Sequence, residues 1–215
     1  MTFLDRRDAG RRLAAVVCDS VPEAEHPVVM GMARGGVPVA FEVAAALHAP
    51  LDVVVVRKLG HPQQPELGLG AIGESGVRIV NGALVQRLEV PDEVIDAVVS
   101  REQAELERRL RAYRGDRPPV SVEGRTAVVV DDGLATGFTA RAAVEVMRVR
   151  RASRVVVAVP VGPPDAVAAL GAVADDVVCV ETTAGFFGLS EWYRDFEQVS
   201  DQEVARLLVA ATGAP

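Results

Sequence analysis

Asp131 and Asp132 stand side by side at the end of the apolar run Thr126-Ala127-Val128-Val129-Val130, and Gly133, Leu134, Ala135, Thr136, Gly137, Phe138 and Thr139 follow them. A β-branched run, a turn of small and hydroxyl-bearing residues, and helical spacing from Ala140 to Val149 read as strand, loop, helix. At such a junction the backbone N–H groups of Ala135 to Phe138 have no partner inside the helix and face outward at the positive end of its dipole. Together with the hydroxyls of Thr136 and Thr139 they form a binding place for a phosphate. The two carboxylates would repel that anion, but they suit vicinal hydroxyls, whose O–H groups need acceptors, or a divalent cation. One loop can therefore hold a sugar diol at one end and its phosphate at the other.

Two other strand ends carry cations. The run Val28 to Met32 leads through Ala33 into Arg34-Gly35-Gly36 and a helix over 37–47, and adjacent glycines let backbone N–H groups approach a ligand closely. The run Asp52 to Val56 ends in Arg57-Lys58, two cations over the crevice where open α/β sheets bind ligands. A fourth stretch, residues 182–200, holds Phe186, Phe187, Trp192, Tyr193 and Phe196 in a protein that is only 4% aromatic. Two readings stand side by side for it: a stacking platform for a flat ligand, or a hydrophobic plug over the sheet edge.

The run from Val128 to Thr139 resembles the phosphoribosyl pyrophosphate (PRPP) loop of type I phosphoribosyltransferases. The alternative for this run alone is a receiver-like or Rossmann strand end. The resemblance implies ribose and 5′-phosphate contacts from Asp131, Asp132, Gly133, Ala135, Thr136, Gly137 and Thr139. It makes Arg34, Gly35 and Gly36 a pyrophosphate loop and gives Arg57 and Lys58 to the same pyrophosphate, with Asp131, Asp132, Arg57 and Lys58 as the catalytic set. Magnesium is the implied cofactor, near Asp131 and Asp132, and Leu134, Phe186, Trp192 and Tyr193 are the candidates for the acceptor side. Residues 182–200 would then form a small hood. Ala135 stands where 6-oxopurine members commonly carry an Asp, which turns the expectation toward other nitrogen acceptors. A regulator that binds PRPP or a nucleotide without turnover is the rival on the same fold.

The elements that must position these groups alternate between apolar runs and helical segments, which predicts right-handed crossovers. The expected fold is a Rossmann-like, mainly parallel sheet flanked by helices on both faces, with a flexible hairpin lid and a hood, in one domain over 1–215. Residues 60–76, rich in Gly, Pro and Gln, read as the lid loop plus a hairpin with strands at 71–72 and 77–80, and His61 and Glu74 as surface groups. A helix over 5–17 shows Arg6, Arg7, Arg11 and Arg12 on a solvated basic face, and a helix over 91–113 reads as a solvated surface helix that is also a possible homodimer contact.

Net charge of −7 gives no help to a polyanionic partner, so nucleic acid is not expected. Neither a signal peptide nor a long uncharged apolar run is visible, so no membrane partner is expected and the cytoplasm is the default address. Cys18 and Cys179 match no metal spacing. The expected partners are PRPP and a small-molecule acceptor.

Overall fold

The computed structural model describes residues 2–185 and 188–212, so Phe186 and Phe187 of the aromatic segment lie outside the described residues. Five parallel strands form the main sheet: β1 (Val28–Met32), β2 (Leu51–Val54), β6 (Thr126–Val130), β7 (Arg154–Gly162) and β8 (Asp176–Thr182), in the order β2-β1-β6-β7-β8. Three antiparallel strands, β3 (Val56–His61), β4 (Gln64–Gly73) and β5 (Arg78–Val80), make a smaller sheet.

β1, β6 and β7 are buried almost end to end because both sheet faces are covered, as continuous apolar runs in parallel strands require. Successive side chains point to opposite faces, so Val128 and Val130 join one core layer while Ala127 and Val129 join the other. The first layer is filled by α1 (Arg6–Ser20), α2 (Gly36–Ala46), α4 (Asp92–Arg114) and α7 (Asp201–Thr212), the second by α5 (Phe138–Val149) and α6 (Pro164–Gly171). Each fully buried valine adds about 1.5–3 kcal/mol over an exposed one. A short helix, α3 (Gly82–Arg87), capped by the Asn81 side chain on the Leu84 N–H, follows β5.

From β1 the chain crosses to β2 on one side, and from β6 to β7 on the other, while β1 and β6 pair directly from Val28↔Ala127 to Gly31↔Val130. That is a topological switch point, where diverging connections leave a crevice outside the carboxyl ends of two neighbouring strands. The glycine pair of residues 35–36 and the acidic pair of 131–132 both emerge into it.

The expected hairpin is present, Ala71↔Ile79 and Ile72↔Arg78 pairing antiparallel, but the stretch before it, expected as a lid loop, is largely strand too. β3 and β4 form a long hairpin running from Val56↔Gly73 to His61↔Gln64. Its glycines suggested a loop, but Gly70 serves close strand packing: a Cβ there would fall 2.1 Å from the Ile79 carbonyl oxygen.

Glu74 is likewise no surface group. With Asp52 it surrounds the Arg114 guanidinium, whose Nε donates to Asp52 Oδ1 (3.0 Å) and Nη1 to Glu74 Oε2 (2.8 Å). Burial alone would lower the Arg114 pKa; the two carboxylates outweigh it and hold the cation charged. α4 is therefore solvated on one side only, its other side carrying Leu106, Glu102 and Arg114 inward.

Candidate functional site

The acidic loop begins where β6 ends. Asp131 donates its N–H to the Ala158 carbonyl of β7, and Leu134 donates to Val161, so the neighbouring strand holds the loop at both ends. α5 starts at Phe138 behind Gly137, whose φ of 73° favours glycine, and no side chain caps it. The N–H groups of Ala135, Thr136, Gly137 and Phe138 donate to no described residue, nor do the hydroxyls of Thr136 and Thr139. Ala135 and Thr136 are exposed. The result is an open set of donors at a helix N-terminus, fit for a phosphate.

The glycine loop lies directly against the carboxylates. A Cβ at Gly35 would fall 2.1 Å from Asp132 Oδ2, and one at Gly36 would fall 2.8 Å from the Asp131 Cα and 2.5 Å from the Val130 carbonyl oxygen. Residues without side chains are thus required for the two loops to adjoin. The Ala33–Arg34 peptide in the same loop is cis. Arg34 reaches toward Asp201 at the start of α7, with Nη1 3.8 Å from Oδ1.

Asp132 is only 7% exposed and is held at several points. Its N–H donates to Asp131 Oδ1 (2.9 Å), its carbonyl accepts from the Tyr193 hydroxyl (2.5 Å), and its Oδ2 accepts from Arg6 Nε (2.8 Å). No N–H or cation of a described residue reaches Asp131 Oδ2 or Asp132 Oδ1, and the two carboxyl groups lie in hydrogen-bonding contact with each other. Desolvation first, and the neighbouring Asp132 charge second, push the Asp131 carboxyl well above the usual carboxylate range. Such a carboxylate gains from any cation or hydroxyl donor that arrives. The pair therefore fits a divalent cation, Asp131 above all, since one oxygen of Asp132 is already committed to Arg6.

Arg57 and Lys58 sit on β3. Arg57 donates to Glu102 Oε2 of α4 from both Nε (2.9 Å) and Nη2 (2.6 Å), so its ion pair goes to α4 and not to the acidic loop. With Lys58, Gly60, His61, Pro62, Arg101 and Glu102 it lines a cavity of about 250 Å³. Glu102, which also accepts from Arg101 Nε (3.1 Å), is the carboxylate that fixes this cationic corner.

On the acceptor side, the structure separates the candidates. Leu134 is buried, packed on Gly162 of β7. Tyr193 is 5% exposed, its ring 5.5 Å from that of Phe3 and 4.9 Å from that of Phe196. Burial and the nearby Asp132 charge raise its phenol pKa, so the hydroxyl stays a donor. Leu134 and Tyr193 are thus both buried, Leu134 in the core layer under α5 and α6 and Tyr193 in the aromatic cluster with Phe3 and Phe196. Trp192 is partly exposed, beside the same cluster. Phe186 lies outside the described residues.

The segment 188–196 is held by the chain's first residues. Phe3 donates to the Trp192 carbonyl (2.7 Å), Arg194 to that of Phe3 (2.9 Å) and Asp195 to that of Leu4 (3.0 Å). Leu189 closes over Gly133, where a Cβ would meet its Cδ2 at 2.1 Å. Residues 3–6 are therefore part of the same corner as the acidic loop. Arg6, read from sequence as a solvated helix residue, was the missed contributor; helical periodicity puts it on a polar face, and only the long-range return of residues 192–197 turns that face inward.

These features define an α/β domain whose switch-point crevice is lined by an acidic pair, a glycine pair and an open helix N-terminus, and the comparisons bear on its family. The phosphoribosyl transferase domain model matches residues 4–194, and the chain belongs to that family. A Mycobacterium tuberculosis H37Rv relative, provisionally named a phosphoribosyl transferase, is 52% identical over 206 residues, 96% of this chain and 46% of its own. The chain thus spans about half the length of the curated relatives it matches. The crystal structure of TT1426 from Thermus thermophilus is similar over 98% of this chain and 99% of that one, with a TM-score of 0.83 and 40% identity. A Neisseria gonorrhoeae protein shares the fold at 13% identity and a TM-score of 0.51, covering 97% and 96%. No helix among the described residues is long and apolar enough to cross a membrane.

Proposed function

We propose that this protein transfers the 5-phosphoribosyl group of PRPP to a ring nitrogen or amine of a small-molecule acceptor, with Mg²⁺, releasing pyrophosphate. The observation that carries the reading is the conjunction at the switch point. Unpaired N–H groups of Ala135 to Phe138 lie at one end of a loop, and the adjoining carboxyl groups of Asp131 and Asp132 at the other, with Gly35 and Gly36 packed against them.

In the reaction the C1–O bond to pyrophosphate breaks, a C1–N bond forms and the acceptor nitrogen loses a proton. The ribose ring carries positive charge on the way, as in glycoside hydrolysis. Asp131 and Asp132 accept hydrogen bonds from the ribose hydroxyls and orient the ring, each charge-assisted bond contributing about 1.5–3 kcal/mol. Thr136, Thr139 and the N–H groups from Ala135 to Phe138 hold the 5′-phosphate. Backbone donors near Gly35 and Gly36, with Arg34, Arg57 and Lys58, face the departing pyrophosphate. Asp131, with Asp132, would hold the Mg²⁺, whose charge offsets that of the leaving group. Trp192 remains a candidate for the acceptor side.

Arg57 is held by Glu102 and Arg34 points toward Asp201, so these cations are already paired, an arrangement that also suits a protein binding PRPP without turnover. The deciding assay is pyrophosphate release from PRPP over a broad panel of nitrogen heterocycles and amines, with and without Mg²⁺. Mg²⁺-dependent release with at least one acceptor supports the transferase. Tight PRPP binding with no release across the panel leaves the regulator.

A further inference from the structure

Asp132 has two carboxylate oxygens, and the fold treats them differently. Oδ2 is committed: Arg6 Nε donates to it at 2.8 Å, with both side chains about nine-tenths buried. No N–H, hydroxyl or cation of a described residue reaches Oδ1; the Asp132 carboxyl group otherwise meets only that of Asp131. Arg6 in turn cannot wander. Its Nη1 donates to the Glu197 carbonyl at 2.7 Å, and its guanidinium lies 3.9 Å from the centre of the Phe196 ring, inside cation–π range. The helix start beneath it is fixed by Asp5, which caps the Asp8 N–H at 2.7 Å, and by the Leu4 N–H on Asp8 Oδ2 at 3.1 Å.

We propose that Arg6 is a positioning residue for the ribose site: by holding Oδ2 of Asp132 it turns Oδ1 toward the sugar hydroxyls and keeps the carboxylate from swinging away from the diol. This rests on the PRPP reading above and extends it to a residue outside the acidic loop. Arg6 touches no substrate; it acts through Asp132. The fork geometry explains why a guanidinium is used, since Nε serves Asp132 while Nη1 serves Glu197, and an ammonium could not hold both in fixed directions. The aromatic segment thereby acquires a role as well. Phe196 and the 197 carbonyl seat Arg6, and Tyr193 seats the Asp132 carbonyl, so residues 193–197 set the ribose site from behind.

The test is a double-mutant cycle on ligand affinity, measured by calorimetry on the full chain with Mg²⁺ present: wild type, Arg6→Gln, Asp132→Asn and the double variant, each titrated with PRPP and with inorganic pyrophosphate. Arg6→Gln is expected to weaken PRPP roughly 10-fold or more, the equivalent of one charge-assisted hydrogen bond. The double variant should bind PRPP no more weakly than Asp132→Asn alone. Pyrophosphate, which has no ribose, should bind wild type and Arg6→Gln alike, and Asp132→Asn alike with and without Arg6→Gln. Arg6→Lys should recover only part of the loss, and Phe196→Leu, which keeps the guanidinium but removes its stacking partner, should show a smaller loss of the same kind. If Arg6→Gln binds PRPP as wild type does, or if the two single losses multiply in the double variant, or if Arg6→Gln weakens pyrophosphate in step with PRPP, the positioning role is wrong while the PRPP reading survives. If wild type itself binds no PRPP, both fall.

Discussion

The Asp132 carboxylate fills the space that a side chain on Gly35 would need: a Cβ on residue 35 would lie 2.1 Å from Asp132 Oδ2. Gly35 has φ −60° and ψ −32°, a conformation open to any residue, so its lack of a side chain serves contact and not backbone freedom. Gly35→Ala is expected to keep the fold and displace the Asp132 carboxylate, weakening PRPP binding by about 10-fold or more through a lost charge-assisted bond. Titration calorimetry checks it; unchanged affinity would mean the glycine loop and the acidic loop do not work together.

Asp131→Asn is expected to stabilise the free protein at neutral pH. Asp131 is desolvated next to Asp132, and its native pKa is raised. For a carboxyl so shifted, the native state is favoured below the unfolded pKa near 4, and that advantage is lost as pH rises through the native value. The asparagine keeps an acceptor for the Asp132 N–H without the charge. Its melting temperature should therefore exceed that of wild type above about pH 4, the gap widening with pH, while PRPP binding falls.

Asp201 is shifted the other way. Burial would raise its pKa, but the Tyr113 hydroxyl at 2.8 Å and Arg108 at 3.0 Å outweigh it, and the net shift is downward. Its contribution is present above the unfolded value near 4 and lost as pH falls through the native one. Asp201→Asn should cost about 1 kcal/mol at pH 7, and the difference from wild type should close as pH drops below about 4. Denaturant melts at several pH values check the sign.

Tyr193→Phe removes the donor to the Asp132 carbonyl and leaves that buried oxygen unpaired. The expected loss of stability is about 1–3 kcal/mol. Apparent affinity for an acceptor should change less than affinity for PRPP, because the hydroxyl supports the acidic loop; the reverse pattern, read from Michaelis constants, would return Tyr193 to the acceptor side.

Local pattern carried most of the parallel sheet, because strands buried on both faces are legible as β-branched runs, and Thr126 to Val130 and Arg154 to Pro160 fall inside β6 and β7. The acidic and glycine loops were legible too, since each follows directly on an apolar strand and opens a helix, although what requires Gly35 is the distant Asp132. What stayed hidden depends on distant partners. Arg6 and Asp132 are 126 residues apart, Arg57 and Glu102 are 45, and Arg114 and Glu74 are 40. Arg6, Glu74, Glu102 and Arg114 each look like an ordinary solvated charge until the partner arrives. Glycine-rich composition also concealed the first part of β4, where Gly70 signals backbone crowding and not a loop.

A sugar phosphate seated between the acidic pair and the start of α5 is the central claim. Thr136 is exposed at that helix start, so Thr136→Glu places a carboxylate among the phosphate donors without disturbing the core. Titration of PRPP with Mg²⁺ into wild type and into this variant is the direct measurement. Saturable binding by wild type and a loss of about 100-fold or more in the variant, the scale of a like charge set against a bound phosphate, is the predicted result. Equal affinity in the two proteins would contradict it.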